Sequence, residues 1–173
     1  MDTSSAPAGH VTDGTDEPDV EAPWLTAEEQ QLWRAHLEVG RLLAYAMERG
    51  LQPFGLAIND YTILVELSEA PERRMRMTDL ATATLQSKSR LSHQITRMES
   101  AGLVVREGCP GDRRGLYAVL TESGWETMRR VAPHHVRNVR EHFIDRLDPE
   151  QIASMHAALA PIAEHLRTVR GRG

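Results

Sequence analysis

Cysteine is nearly absent from this chain. Cys109 is the single one in 173 residues, so no internal disulfide can form and a reducing compartment suits the protein. Lysine is as scarce, since Lys88 is the only one and every other basic residue is arginine. No stretch approaches the roughly 18 successive apolar residues that a membrane span requires. The N-terminus is acidic and lacks the basic-then-apolar order of a secretory signal. These absences together lead us to expect a soluble cytoplasmic protein with no membrane partner. Catalytic patterns are missing too. The chain has no serine nucleophile elbow, no phosphate-binding glycine loop and no dinucleotide fingerprint, so neither an enzyme nor a cofactor is expected. Metal is not expected either: among His134, His135 and His142 only the last pair, seven residues apart, can share a helix face, and no His-Glu-x-x-His or Cys-x-x-Cys pattern supports them.

What the chain does contain is unevenly spread. The formal net charge is −5. From Met1 to Gln31 there are eight acids and no Lys or Arg, whereas Glu72 to Arg114 holds nine basic residues against five acids. Charges act over about 8–10 Å at physiological salt, so the local excess of four positive charges matters more than the total. Residues 1–23 are rich in Asp, Glu, Pro, Gly, Ser and Thr, and cannot bury enough surface to offset ordering entropy. They are expected to form a disordered acidic tail, followed by one domain over residues 24–173.

Helical periodicity dominates that domain. Thr26-Ala-Glu-Glu29 has the spacing of a capping box, and Trp33, Leu37, Gly40, Ala44 and Met47 recur at helical intervals up to about Gly50. A shorter helix is expected with Asn59 or Asp60 as its cap and Ile63, Leu64 and Leu67 facing inward, then a loop over residues 69–76. Thr121 caps a long helix that Pro133 kinks without ending. Asp148-Pro-Glu-Gln151 starts another. There Ile152, Met155, Leu159, Ile162, Leu166 and Val169 alternate spacings of three and four, a seam that needs a partner helix.

Between these lies the most informative stretch. Thr78 to Thr84 predicts a short helix, and after the Leu85-Gln86 turn Ser87 caps a second one. Leu91, Ile95 and Met98 give that helix a narrow buried stripe, and Gly102 stands where a left-handed residue would end it. Two helices joined by a tight turn form a helix-turn-helix. Val104–Glu107 and Leu116–Leu120 then read as strands around a turn with arginines at its tip, which makes a wing. The outward face of the second helix carries Ser87, Lys88, Ser89, Arg90, Ser92, His93, Thr96 and Arg97. Short hydroxyls mixed with cations suit a major groove about 12 Å wide. At the wing, Asp112, Arg113 and Arg114 can bring an arginine to a minor groove, where negative potential is concentrated.

The ordered series Asp79-Leu-Ala81, Ser87-Lys-Ser-Arg-Leu-Ser92, Arg97-Met-Glu-Ser-Ala-Gly-Leu-Val104, Asp112-Arg-Arg-Gly115 and Val119-Leu-Thr121 resembles the MarR family of transcription regulators. The resemblance spans about residues 25–167. One departure lies at the helix-turn-helix turn, where the family often has Gly-Leu and this chain has Leu85-Gln86. The resemblance implies a mainly α winged helix-turn-helix with a two-stranded β-wing. It also implies a homodimer, with residues 24–52 and 122–170 as dimerisation helices around a DNA-binding lobe at 58–121. Further implications are a repressor of promoter DNA on the nucleoid, and Arg114 as the minor-groove residue oriented by Asp112. The binding partner is double-stranded DNA. A small lipophilic or phenolic effector is a candidate second partner, with Trp33, Tyr45, Phe54, Tyr61 and Trp125 as candidate pocket lining. Two alternatives stand beside this reading: a winged-helix module that binds protein with vestigial DNA contacts, and a redox-responsive regulator acting through Cys109. Exposed cations rather than apolar side chains on the candidate face argue against the first. Absence of a second cysteine argues against the other.

Overall fold

A computed structural model describes residues 23–109 and 111–170, apart from the side chains of Arg113 and Arg114. The acidic tail expected over residues 1–23 lies, but for Pro23, outside the described residues. The chain divides into two compact units at His36/Leu37, and helix α1 (Ala27–Leu51) runs through the division.

In the first unit the expected capping box is present. The Thr26 amide donates to Glu29 Oε2 at 2.7 Å and the Glu29 amide donates to Thr26 Oγ1 at 3.3 Å. Hydrogen bonding from the Thr26 amide and side chain holds the Glu29 carboxyl below its ordinary pKa, and the two amide bonds satisfy donors that a helix start leaves open. One turn of helix farther on, Trp33 stacks on His36 at 5.8 Å between ring centroids.

The second unit contains the remaining elements. Helix α2 (Ile58–Glu69) is followed by a single 3-10 turn (Pro71–Arg73) and strand β1 (Arg74–Arg76). Helices α3 (Met77–Ala83) and α4 (Lys88–Ser100) form the helix-turn-helix. Strands β2 (Val104–Cys109) and β3 (Asp112–Leu120) form the wing, and helices α5 (Glu122–His142) and α6 (Pro149–Arg170) complete the unit. The sheet is antiparallel in the order β1-β3-β2. It therefore has a third strand, where the sequence predicts a loop over 69–76. Arg76 pairs with Tyr117 across it, and Arg106 with Ala118.

The core forms where the periodicities converge. Ile63, Leu64 and Leu67 of α2, Leu80 of α3, Leu91 and Ile95 of α4 and Val104 of β2 are fully buried together with Val131 of α5. Each such side chain stabilises the fold by about 1.5–3 kcal/mol on burial. Helix α2 is capped at Ala57 rather than at Asn59 or Asp60. Asp60 sits three residues inside, accepting from the Ala57 amide at 3.1 Å. Helix α4 ends as expected, with Gly102 at φ +71°, open to glycine without steric cost. The Thr121 hydroxyl accepts from the Gly124 amide at 2.9 Å and donates to the Gly102 carbonyl at 2.7 Å, joining the start of α5 to the end of α4. Helix α5 continues through Pro133. Asn138 of α5 donates to the Ala46 carbonyl at 3.0 Å, tying α5 to the second half of α1. The described part of the chain has no helix long and apolar enough to cross a membrane.

Candidate nucleic-acid interface

Helix α4 presents one clamped face and one unencumbered face. Its start is fixed by Ser87, whose hydroxyl accepts from the Arg90 amide at 3.2 Å. Lys88, Ser89, Arg90 and His93 are exposed, and among the described residues their side chains make no hydrogen bond or ion pair. Four ready donors or acceptors on one and a half turns of helix therefore point to solvent.

The clamped face depends on two residues outside the helix. Asp60 of α2 is only 5 % exposed. It accepts from Gln94 Nε2 at 3.0 Å and from Arg97 Nη2 at 2.5 Å, besides the Ala57 amide. A carboxylate so deep would be costly if left unpaired; three donors offset the desolvation. Arg106 of β2 acts from the other side. Its amide donates to Glu99 Oε1 at 2.8 Å, its guanidinium pairs with the same carboxylate, and Nη2 donates to the Ser92 carbonyl at 2.7 Å and to Thr96 Oγ1 at 3.1 Å. The recognition helix is thus held at fixed tilt between α2 and the wing.

Of the residues expected to meet DNA, the structure places Ser87, Lys88, Ser89, Arg90, Ser92, His93, Thr96 and Arg97 together on the outward side of α4. It gives three of them a second engagement. Ser92 and Thr96 support Arg106, and Arg97 leans on Asp60 while 63 % of its side chain stays exposed. Sequence reading missed Asp60, Glu99 and Arg106. Their partners lie 7 to 37 positions away, and no local spacing announces such pairings.

The wing is anchored at its root. Asp112 accepts from Arg76 Nη1 at 3.0 Å and, through Oδ1, from the Gly115 amide at 3.0 Å. Asp112 and the neighbouring Tyr117 hold Arg76 more firmly in its charged form. Gly115 gives these side chains room, because a Cβ would lie 2.5 Å from Asp112 Oδ2 and 2.9 Å from Cys109 Sγ and would force one of them to shift. Cys109 is buried under this turn, 7 % exposed. Arg113 and Arg114 belong to β3, with side chains outside the described residues. Between wing root and α4 lies a cleft of about 320 Å³ whose lining includes Arg76, Lys88, Arg106 and Asp112. Arg76 is paired there with Asp112 and Arg106 with Glu99, which leaves Lys88 as the lining cation without a partner among the described residues.

The candidate effector lining is dispersed. Phe54, Tyr61 and Trp125 share the main apolar cluster. There Phe54 packs on His134 at 4.9 Å and Tyr61 on His135 at 4.5 Å, while Arg73 covers Trp125 at 4.1 Å. Burial pushes the Tyr61 phenol up and the His135 imidazole down. Tyr45 is exposed beside Arg49, and Trp33 lies in the first unit, lining a shallow hollow with Trp24 and Leu25.

A helix-turn-helix whose second helix is polar outward and clamped inward, followed by a hairpin, defines a winged-helix protein. Comparison with known proteins agrees. A model of the MarR family matches residues 54–115. The crystal structure of AbsC, a MarR family transcriptional regulator from Streptomyces coelicolor, superposes with a TM-score of 0.81. It is 67 % identical, over 85 % of this chain and 99 % of that one. A second Streptomyces coelicolor regulator of the family, Sco3205 in complex with DNA, gives a TM-score of 0.80 at 46 % identity, over 84 % of this chain and 92 % of that one. The regulator PecS of Dickeya dadantii is 26 % identical over 84 % of this chain and 88 % of its own. This chain belongs to the MarR family of transcriptional regulators.

Proposed function

We propose that the protein is a homodimeric repressor that binds a near-palindromic promoter site in the cytoplasm, on the nucleoid, and has no catalytic role. The observation that carries this reading is the division of α4 into a clamped inner face and an outer face of uncommitted donors at Lys88, Ser89, Arg90 and His93. A helix held at fixed tilt loses little further freedom on entering a groove, so more of its contact energy appears as affinity. Arg90 and Lys88 can address base edges or phosphates. Arg114, from the wing, reaches the adjacent minor groove, and Arg113 a phosphate.

Surface left uncovered supports dimerisation. Helix α6 exposes the whole seam from Ile152 to Val169, with Ile162 at 55 % and Leu166 at 59 %. A second copy supplies the matching seam and sets two recognition helices about 34–36 Å apart, one turn of duplex. A small lipophilic or phenolic ligand entering beside Phe54, Tyr61 and Trp125 would meet the buried, unpartnered Nδ1 of His135, loosening the packing of α5 on α2 and releasing DNA.

Anisotropy titration of labelled duplex from the upstream region of its own gene, against an unrelated duplex and at two salt concentrations, tests the reading. Sequence-selective binding that weakens with salt is expected. Equal weak binding to both duplexes, or none, would remove the regulator reading.

A further inference from the structure

The last turn of α6 meets the helix-turn-helix at a place the proposed interface does not use. Arg170 Nη1 donates to the Thr82 carbonyl at 2.7 Å, at the end of α3. Arg167, one turn earlier on the same face of α6, lines with it an open hollow of about 550 Å³ closed by Thr82, Ala83 and Leu85. No carboxylate lines this hollow among the described residues. Leu85 stands at the turn itself, 75 % exposed and at φ +57°, a left-handed conformation that strains a residue with a Cβ. The turn keeps its tight shape despite lacking glycine, and it carries the hollow to within two residues of the α4 cap, Ser87.

Position gives the hollow its meaning. A recognition helix enters the major groove N-terminal end first, with the preceding helix crossing the backbone. The turn between them therefore lies at the rim of the groove, where phosphates are. Two arginines there, one with its guanidinium anchored through a single nitrogen and the other without a side-chain partner among the described residues, are set for anionic oxygens. The same two residues also lie in the last turn of α6, where cations favour the carbonyl end of a helix. That role does not require them to face α3.

We infer that Arg167 and Arg170 form a phosphate-binding site for the DNA backbone beside the helix-turn-helix turn, extending the footprint beyond α4 and the wing. The inference rests on the DNA-binding reading above. Through it the C-terminal end of a dimerisation helix becomes part of the DNA-binding surface, so that α6 position and DNA affinity are coupled.

The test is a salt series of anisotropy titrations on the full chain with promoter and unrelated duplexes. Each lost phosphate contact should lower the slope of log affinity against log salt by about 0.9. Because a dimer carries each substitution twice, Arg167→Gln should lower it by about 1.8, and the double variant Arg167→Gln/Arg170→Gln by about 3.6. Both duplexes should show the loss alike, because phosphates carry no sequence, and Arg170→Lys should keep the wild-type slope. Light-scattering mass and thermal midpoint are read alongside. A wild-type slope in Arg167→Gln, which breaks no bond of the fold, overturns the proposal. So does an Arg170→Lys variant that loses slope and melting temperature together, since Arg170 would then be only a strut. Wild-type protein that binds neither duplex overturns the parent reading with it, an outcome plainly different from an unchanged slope.

Discussion

The lobe from α2 to β3 and the helix α6 carry apolar stripes of the same kind, and the two have opposite fates. In the lobe, Ile63, Leu64, Leu67, Leu80, Leu91 and Ile95 are all completely buried. On α6, Ile152, Met155, Leu159, Ile162, Leu166 and Val169 remain between 37 % and 59 % exposed. Periodicity states that a face will be covered, and says nothing of which chain covers it. The lobe's stripes are covered within one chain, because α2, α3, α4 and the wing close around one centre together with Leu51 of α1 and Val131 of α5. The seam of α6 is complete only with a second copy, according to the function proposed here. On that proposal the lobe is a reader whose core closes within one chain, and its affinity for DNA would be multiplied by an arm that does not finish its own packing.

The largest effect expected from breaking this contrast is at the seam. Leu159→Glu should leave the lobe folded while abolishing the dimer. Each lost leucine contact is worth about 1.5–3 kcal/mol and occurs twice in a two-fold interface, so promoter affinity should drop about a hundredfold or more. Sedimentation equilibrium and anisotropy check it, and a stable dimer in this variant would break the comparison. Within the lobe, Arg106→Ala should act in the reverse sense, leaving dimer mass intact. It strands Glu99 and frees the far side of α4, lowering stability by about 1.5–3 kcal/mol in urea unfolding, with weaker DNA binding.

At the wing, Arg114→Ala should cost about 1–3 kcal/mol of promoter affinity, with fold and dimer unaffected. Arg113→Ala should cost less and show mainly as a shallower salt slope. Unchanged affinity in the first variant would remove the wing from the interface.

The smallest effect is set by pH. His135 packs on Tyr61 with Nδ1 buried and unpartnered, and burial lowers its pKa from 6.5 in the folded state. The folded state therefore favours the neutral imidazole. Its contribution is intact above about pH 6.5, begins to be lost as the unfolded chain takes up a proton below that value, and is gone once pH has fallen through the lower folded value. Urea midpoints compared between pH 7.5 and 5.5 should fall less in His135→Phe than in wild type. An equal fall would show that His135 is not the group titrating.

Much of the frame was legible in the sequence because its signals are local. The capping boxes at Thr26/Glu29 and Asp148/Gln151, the Ser87 and Thr121 caps, the buried triad of α4 and the left-handed Gly102 each depend on neighbours within four residues or so. Strand β1 was not legible: three residues, Arg74-Met-Arg76, have no alternation long enough to read, and they become a strand only because β3 pairs with them. The start of α2 differs from the expected one for a related reason. Asp60 looks like the N-cap, yet it lies three residues after the cap Ala57, with Oδ2 accepting from that amide and Oδ1 turned to Gln94 and Arg97. For the candidate site, the face of α4 could be named residue by residue from helical spacing. The clamp that holds it could not, since Asp60 and Arg106 reach it through tertiary contacts alone.

One measurement bears most directly on a reader closed within one chain and joined to an incomplete arm. Sedimentation velocity of the wild-type protein on a labelled duplex carrying the full promoter site, and on one cut to a half-site, counts chains per duplex and compares affinities. Two chains on the full site, with the half-site bound far more weakly, is the result predicted. One chain bound equally well to either duplex would contradict it, since α6 would then have left its seam open for some other reason.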